Sequence, residues 1–468
     1  MVSIMPHRYR RASFRFMTAF LLVFAVSLLG GAAQGRQQAP SGSVCRIEPV
    51  DYRGWSGQQL ANRWVKLVVV PQNGGRLMQV TFAGHDYLFV NPALSGKYQA
   101  PSAEQWFNYG GDKLWLLPEG DDDEQHWRGN SDLLDDGPYT FRKVAEGERC
   151  EIELASPADP QTGVQFIRTI ALDTNSPHIQ FHARMKNITG HTIEWSMQSV
   201  SQYDTGAAGD PGKRNPDIWG FTPANPASGY LNRYHVRFGP AENPAASVRE
   251  DGLFAIHYAH LAAELWIDSA AGWLAVVDGT SRFAMVEKFE YEPRRTYPGR
   301  ASVIFWTNGP ELHLAESGEA EFGGKHDSPY YMEAELNSPM CRLKPGEECS
   351  FNTDWFPTRT ASDIRDVSDA GLIVRPLRFL RRHDGKLQLS GAFGVFYAGH
   401  LVANYYDGRG VKLAAVQIAD ASPAELVDLH TEVSPGGKAA RVSLHLIDEA
   451  GVDRGALQEV RLTAEDDH

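Results

Sequence analysis

Ile179-Gln180-Phe181-His182-Ala183-Arg184-Met185-Lys186 alternates without a break. Ile179, Phe181, Ala183 and Met185 fall on one side, and Gln180, His182, Arg184 and Lys186 on the other. A period of two is the pattern of a half-buried β-strand, one face on a core and the other open to water or lining a groove. The same reading extends in both directions. Trp64–Val70 (WVKLVVV), Arg76–Phe82 and Tyr87–Val90, parted by turns at Pro71–Gly75 and Ala83–Asp86, read as a β-meander. Val164–Leu172 and His191–Gln202 flank the opening strand, and Trp273–Val277, Arg282–Phe289, Ala301–Thr307, Tyr330–Asn337 and Cys349–Phe356 continue the series. Asp204–Pro226, rich in Gly, Pro and Asn, reads as a long surface loop. Leu253–Ile267 suggests a short helix, which would set His257, His260 and Glu264 on one face. The expected class is all-β.

From Gly371 the runs shorten, with turns at Asp384-Gly385, Asp407-Gly408 and Pro435-Gly436-Gly437. Strand signals at this spacing predict a small Ig-like β-sandwich over residues 371–468, a structural module or the seat of a protein partner. Residues 51–357 form the larger unit, with linkers at 34–50 and 357–370.

The N-terminus reads as a targeting segment. Arg8, Arg10, Arg11 and Arg15 precede the apolar run Met17–Leu29 and the small residues Gly30-Gly31-Ala32-Ala33, so residues 1–33 are expected to be a cleaved signal peptide. No stable membrane anchor is expected afterwards, and the destination is periplasmic or secreted. Its removal would take the formal net charge from −13 to −17. Such an acidic surface argues against nucleic acid as a partner. The four cysteines match no zinc spacing. Cys341 and Cys349 flank the turn Leu343-Lys344-Pro345-Gly346, which leaves Cys45 to pair with Cys150. Asn187-Ile188-Thr189 is a glycosylation sequon of little weight.

Candidate chemistry centres on Trp106–Leu117 (WFNYGGDKLWLL). Gly110-Gly111 permits a sharp turn or a close approach. Trp106 and Trp115 offer flat apolar faces, and Asn108, Asp112 and Lys113 offer polar contacts; together they suit the C–H faces and hydroxyls of a sugar. Plain core packing is the competing account of the two tryptophans. Lys113 is harder to explain structurally, because a buried ammonium needs a partner, for which Asp112 or Glu335 is the simplest choice. The stretch Gly120–Pro138 carries Asp121, Asp122, Asp123, Glu124, Asp132, Asp135 and Asp136 in blocks rather than in calcium-loop alternation, and reads as a solvated acidic loop. No metal or other cofactor is expected. No nucleophile elbow, P-loop or dinucleotide fingerprint occurs.

Gly74-Gly75-Arg76-Leu77-Met78-Gln79 followed by Gly84-His85-Asp86-Tyr87-Leu88 resembles the opening of galactose mutarotase-like domains. Asn91-Pro92, then Tyr109-Gly110-Gly111-Asp112-Lys113-Leu114-Trp115, resembles more specifically the bacterial domain-of-unknown-function family 4380 of that superfamily. Glu335-Leu336-Asn337-Ser338-Pro339 with Leu343-Lys344-Pro345-Gly346-Glu347 also looks like that family. The resemblance covers about residues 50–357. It implies a large β-supersandwich whose polar concave face binds a sugar or glycan. Glu335 resembles the general base, with Glu333 on the same face as the alternative. The superfamily's catalytic His has no counterpart: Ser196, Gln198, Ser199 and Gln202 stand on the matching strand. Lys113, Asp112, Asn108, Gln198, Trp115 and Arg76 are the candidate substrate contacts. Two readings follow, an exported isomerase acting on a sugar or uronic acid through Glu335 and a non-enzymatic envelope protein that binds glycan or serves as a scaffold. A polysaccharide lyase relative is a weaker third, because the chain lacks the helical toroid those enzymes usually carry.

Overall fold

The computed structural model describes residues 44–102, 105–120, 126–127, 133–259, 262–309, 329–382, 386–434 and 438–462. The expected signal peptide lies outside the described residues, as do Asp121–Glu124, Asp132, His260, Asp384-Gly385 and Pro435–Gly437.

Two large antiparallel sheets face each other. The twelve-stranded sheet runs from Arg46–Tyr52 through Trp55–Ala61, Val65–Val70, Arg76–Phe82, Asp112–Leu117, Ile193–Asp204, Tyr331–Asn337, Val303–Asn308 and Ala263–Ile267 to His235–Phe238. Cys341–Leu343 and His85–Asp86 pair beside this path. The ten-stranded sheet runs from Ala246–Val248 through Leu253–His257, Ile218–Pro223, Trp273–Asp278, Phe283–Phe289, Glu348–Arg359, Ile179–Asn187, Val164–Asp173 and Arg149–Ala155 to Thr140–Ala145. The alternation of Ile179–Lys186 holds: Ile179, Phe181, Ala183 and Met185 are buried and the residues between them half-exposed. The core lies between the sheets. Leu67, Leu116, Met197, Met332 and Leu336 meet Ile170, Phe181, Met185 and Trp355 there. Each such side chain contributes about 1.5–3 kcal/mol on leaving water.

Two four-stranded sheets follow: Asp366–Val367, Gly371–Arg381, Leu387–Val395 and Val427–Val433, then Lys412–Ala421, Gly399–Tyr406, Arg441–Asp448 and Asp453–Arg461. They enclose a core of Leu389, Phe393, Leu401, Tyr405, Leu444 and Leu446. A second apolar cluster joins this sandwich to the outer face of the ten-stranded sheet, Phe221, Ala275, Val286 and Phe356 packing with Ile364, Leu372 and Phe396. Thr358 Oγ1 donates to the Val395 carbonyl at 2.9 Å across the same junction.

Four expectations are corrected. Leu253–Ile267 is no helix: Leu253–His257 and Ala263–Ile267 are strands in different sheets, so His257 and Glu264 do not share a face. Leu253 and Ala255 pack outward and Phe254 and Ile256 inward, so burial on both faces overrides the helical spacing. The stretch 34–50 is not linker to its end, since Cys45 is buried and a strand starts at Arg46. Residues 357–370 are packed rather than loose, with Ile364 buried in the shared cluster. Asp204–Pro226 contains the hairpin Gly206–Ala207/Asp210–Arg214 and the strand Ile218–Pro223. The sequon Asn187 is buried, and its Nδ2 donates to the carbonyls of His191 at 2.7 Å and Leu343 at 3.0 Å.

The cysteines pair as Cys45–Cys150 and Cys341–Cys349, with Cα separations of 5.5 and 6.5 Å. Cys45–Cys150 pins the first described strand to a position 105 residues on. Replacing both with Ala should lower the unfolding free energy by about 2–5 kcal/mol in urea titration. Thiol titration of the native protein should find no free thiol; two titratable thiols would contradict the pairing.

Candidate functional site

The Asp112–Leu117 strand begins where Gly110 and Gly111 adopt φ of 88° and 75°. A Cβ at Gly110 would lie 2.2 Å from the Phe89 carbonyl oxygen, and one at Gly111 2.6 Å from that of Leu77. Only glycine allows both this backbone geometry and this approach. Alternation then separates neighbours: Asp112 points into the inter-sheet core and Lys113 to the outer face.

Register assembles that outer face. Trp115 lies opposite Gln198, Lys113 opposite Val200, Val200 opposite Glu335, and Gln202 opposite Glu333. Glu333 in turn lies opposite Trp306, and Trp306 opposite Glu264. Residues directly opposite on paired strands share a side, so five central strands bring Lys113, Trp115, Gln198, Gln202, Glu264, Trp306, Glu333 and Glu335 together.

Lys113 is 1% exposed and its Nζ bonds Glu333 Oε1 at 3.2 Å. Its ammonium also stands over Trp115, 4.3 Å from the ring centroid, and 5.8 Å from that of Trp106. Gln202 Nε2 donates to the same Glu333 oxygen at 2.7 Å, and Gln198 Nε2 donates to Glu335 Oε2. The carboxamide oxygens of Gln198 and Gln202 are buried without a hydrogen-bond partner. Burial, then Glu333, Glu264 and Glu119, push the Glu335 carboxyl well above the usual carboxylate range, against the smaller pull of Lys113. That direction favours the protonated carboxyl, the form able to give a proton. Glu119 is solvent-exposed yet surrounded by protein. That enclosure, together with Glu264 and Glu333, raises it to about 8.

Asp135 holds the aromatic wall. Its Oδ1 accepts from Trp115 Nε1 at 2.7 Å and from Arg76 Nη2 at 2.8 Å, and its Oδ2 accepts from Trp106 Nε1 at 3.2 Å.

Of the sequence candidates, Glu335, Lys113, Gln198 and Trp115 meet at this face. Arg76 does not: it is fully buried between Asp135, Asp136 and the Gly110 carbonyl. Asp112 does not either. Its Oδ2 lies 2.5 Å from Arg168 Nη1 on the core side, and Ser199 and Ser201 donate to its Oδ1. Asn108 caps its own turn, its Oδ1 accepting from Gly110 N at 3.1 Å. The partner of Lys113 is Glu333, neither Asp112 nor Glu335, because Glu333 shares its face and stands within reach. Glu119, Glu264, Trp306 and Asp135 were not foreseen as site residues. The alternation of Ala263-Glu264-Leu265-Trp266-Ile267 was the missed signal for Glu264, masked by the helical reading. Among the described residues no group of His, Cys, Asp and Glu is arranged to hold a metal ion.

No protein-family model and no curated protein matches the chain, so the finer likeness to family 4380 finds no matching model. Solved structures similar to it include mutarotase-like proteins. A galactose mutarotase-like protein from Clostridium acetobutylicum has TM-score 0.43 and 10% identity, covering 68% of this chain and 99% of that one. Galactose 1-epimerase from Lactobacillus acidophilus has TM-score 0.41 and 11% identity, covering 68% and 100%. A TPR-domain containing protein from Parabacteroides distasonis has TM-score 0.46 and 15% identity over 70% of this chain, which spans about half the length of that protein. Likeness this distant says nothing about chemistry.

Lys113→Met should cost about 3–5 kcal/mol in urea unfolding, because it strands the buried Glu333 charge. Adding Glu333→Gln should restore at least half of that loss; equal or additive losses would show that the two do not act as a pair.

A second expectation concerns pH. On the core side, burial and Asp112 raise Glu287 to about 8, although Tyr203 donates to it. Burial and Asp135 raise Asp136 to about 8 against Arg76. With Glu119 at about 8, these groups keep protons in the native state that the unfolded chain releases near 4.5 for Glu and 3.8 for Asp. Native protein then binds more protons through this window, so stability falls as pH rises from about 4 to about 8. Urea midpoints should decline across it, and Glu287→Gln should flatten the decline. A midpoint that climbs between pH 5 and 8 would contradict these protonation states.

Proposed function

We propose that the outer face around Lys113, Glu333 and Glu335 binds a sugar, and that Glu335 serves it as a proton donor. The observation that carries this is the buried Lys113–Glu333 pair, walled by Trp115, beside the Glu335 carboxyl that burial biases towards its acid form. A structural ion pair needs no aromatic wall and no neighbouring carboxyl forced to hold its proton. A pyranose would stack on tryptophan, and its hydroxyls would donate to the free carboxamide oxygens of Gln198 and Gln202.

The reaction this supports is anomer or epimer interconversion. Glu335 gives its proton to the ring oxygen while the C1–O5 bond breaks, and the anomeric hydroxyl proton passes to Glu333. Reclosure on the other carbonyl face returns both protons and inverts C1. The acid and base stand two residues apart on one strand, about 6–7 Å at the Cα atoms. No histidine is needed, and Glu335 takes the acid role rather than the basic one that the resemblance implies. Membership of domain-of-unknown-function family 4380 belongs to this same proposal. So does export, which the two disulfides and the basic-then-apolar N-terminus support. Among the described residues no helix is long and apolar enough to cross a membrane.

Thermal-shift titration against neutral sugars, uronic acids and oligosaccharides should raise the melting temperature with one class. Glu335→Gln should keep that shift and slow anomer exchange, read by NMR on the bound sugar class, by at least 100-fold. Binding without exchange in the unsubstituted protein would leave a glycan-binding protein and remove the enzyme. No shift with any sugar would remove both.

A further inference from the structure

The protein's own cations on this face repeat one arrangement. Lys113 stands 4.3 Å over Trp115 and bonds Glu333. Arg237 stands 5.8 Å over Trp266, whose Nε1 donates to Glu264. Each is a cation on an indole face beside a carboxylate, the combination that best holds a desolvated positive charge.

A third copy of the arrangement lacks its cation. Trp306 lies in register between Glu264 on one neighbouring strand and Glu333 on the other. It is half-buried and packs at 5.3 Å against Phe238. No described Lys or Arg stands over it. Glu119 at the rim interacts with both Glu264 and Glu333. Beside this row the carboxamide oxygens of Gln198 and Gln202, side chains 2% and 0% exposed, have no donor.

We infer that the site takes an amine-bearing sugar, whose ammonium sits on Trp306 between Glu264 and Glu333, and rejects uronic acids. This rests on the reading of the face as a sugar site. Glu264 and Glu333 flank Trp306, so a ligand carboxylate seated there would meet like charge, while Glu119 and Glu335, both biased towards their acid forms, offer it no cation. An ammonium would fill the vacant seat, and the rest of the ring would keep the tryptophan and carboxamide contacts a neutral sugar makes.

Calorimetric titration of the full chain with glucosamine, glucose, N-acetylglucosamine and glucuronate tests this. The four share a ring and differ in charge, and the N-acetyl compound separates charge from shape. Glucosamine should bind about tenfold tighter than glucose or N-acetylglucosamine, a difference of about 1.4 kcal/mol, with glucuronate the weakest. Glu264→Gln should bring the glucosamine-to-glucose ratio towards one, and Trp306→Leu should do the same, each variant's melting temperature confirming that it is folded. Equal affinity for glucose and glucosamine, or tightest binding of glucuronate, would overturn the inference while the sugar site stands. A ratio untouched in folded Glu264→Gln would overturn the placement of the ammonium. No binding by any of the four would remove the sugar site and the inference with it.

Discussion

A lysine ammonium with 1% exposure is the constraint on which the centre of the molecule depends. Moving such a charge out of water costs several kcal/mol, and only a close counter-charge with further hydrogen bonds offsets it. Glu333 supplies the counter-charge, Gln202 bonds the same oxygen, and Trp115 presents its ring to the ammonium. The tryptophan must itself be held, which falls to Asp135. Asp135 then needs Arg76, and the three tie the turn near Leu134 to the sheet. One buried charge thus orders side chains from several separate segments.

A single strand carries two such networks on opposite sides. Asp112, next to Lys113, turns inward to Arg168, with Ser199 and Ser201 around it and the Tyr203–Glu287 pair close by. The core between the sheets is therefore polar at its centre, directly behind the outer site. A change of protonation on one side is separated from the other by the thickness of one sheet, through which charges interact at low effective dielectric. On the core side Asp112 is among the groups acting on Glu287.

The two large sheets have unequal outer faces. The small sandwich covers that of the ten-stranded sheet through Phe356, Phe396 and Leu372. The twelve-stranded sheet keeps its central outer face for Lys113, the glutamates and the tryptophans. A sheet that is apolar outside must be covered, and one that carries charges and indoles need not be. The small sandwich thus has a structural reason to exist whether or not it meets a partner.

Much of the frame was legible in local pattern. Ile179–Lys186 and Arg76–Phe82 read as strands because side chains alternate with a period of two whatever the partner strand. The cysteine pairing followed from a turn between Cys341 and Cys349 and from elimination. Lys113, Trp115, Gln198 and Glu335 stood out in the sequence because their chemistry is unusual for a strand interior, and the register does bring them to one face. Leu253–His257 misled, because a strand buried on both faces loses its alternation and local pattern cannot tell it from a helix. What the chain by itself determined is which residues alternate and which glycines must turn. Only the tertiary structure decided that Glu333, 220 residues from Lys113, is its partner, that Arg76 and Asp112 are committed elsewhere, and that Trp306 stands between two glutamates. Those facts are set by the register of strands remote in sequence, and register is fixed by burial across the whole sheet, which no local stretch encodes.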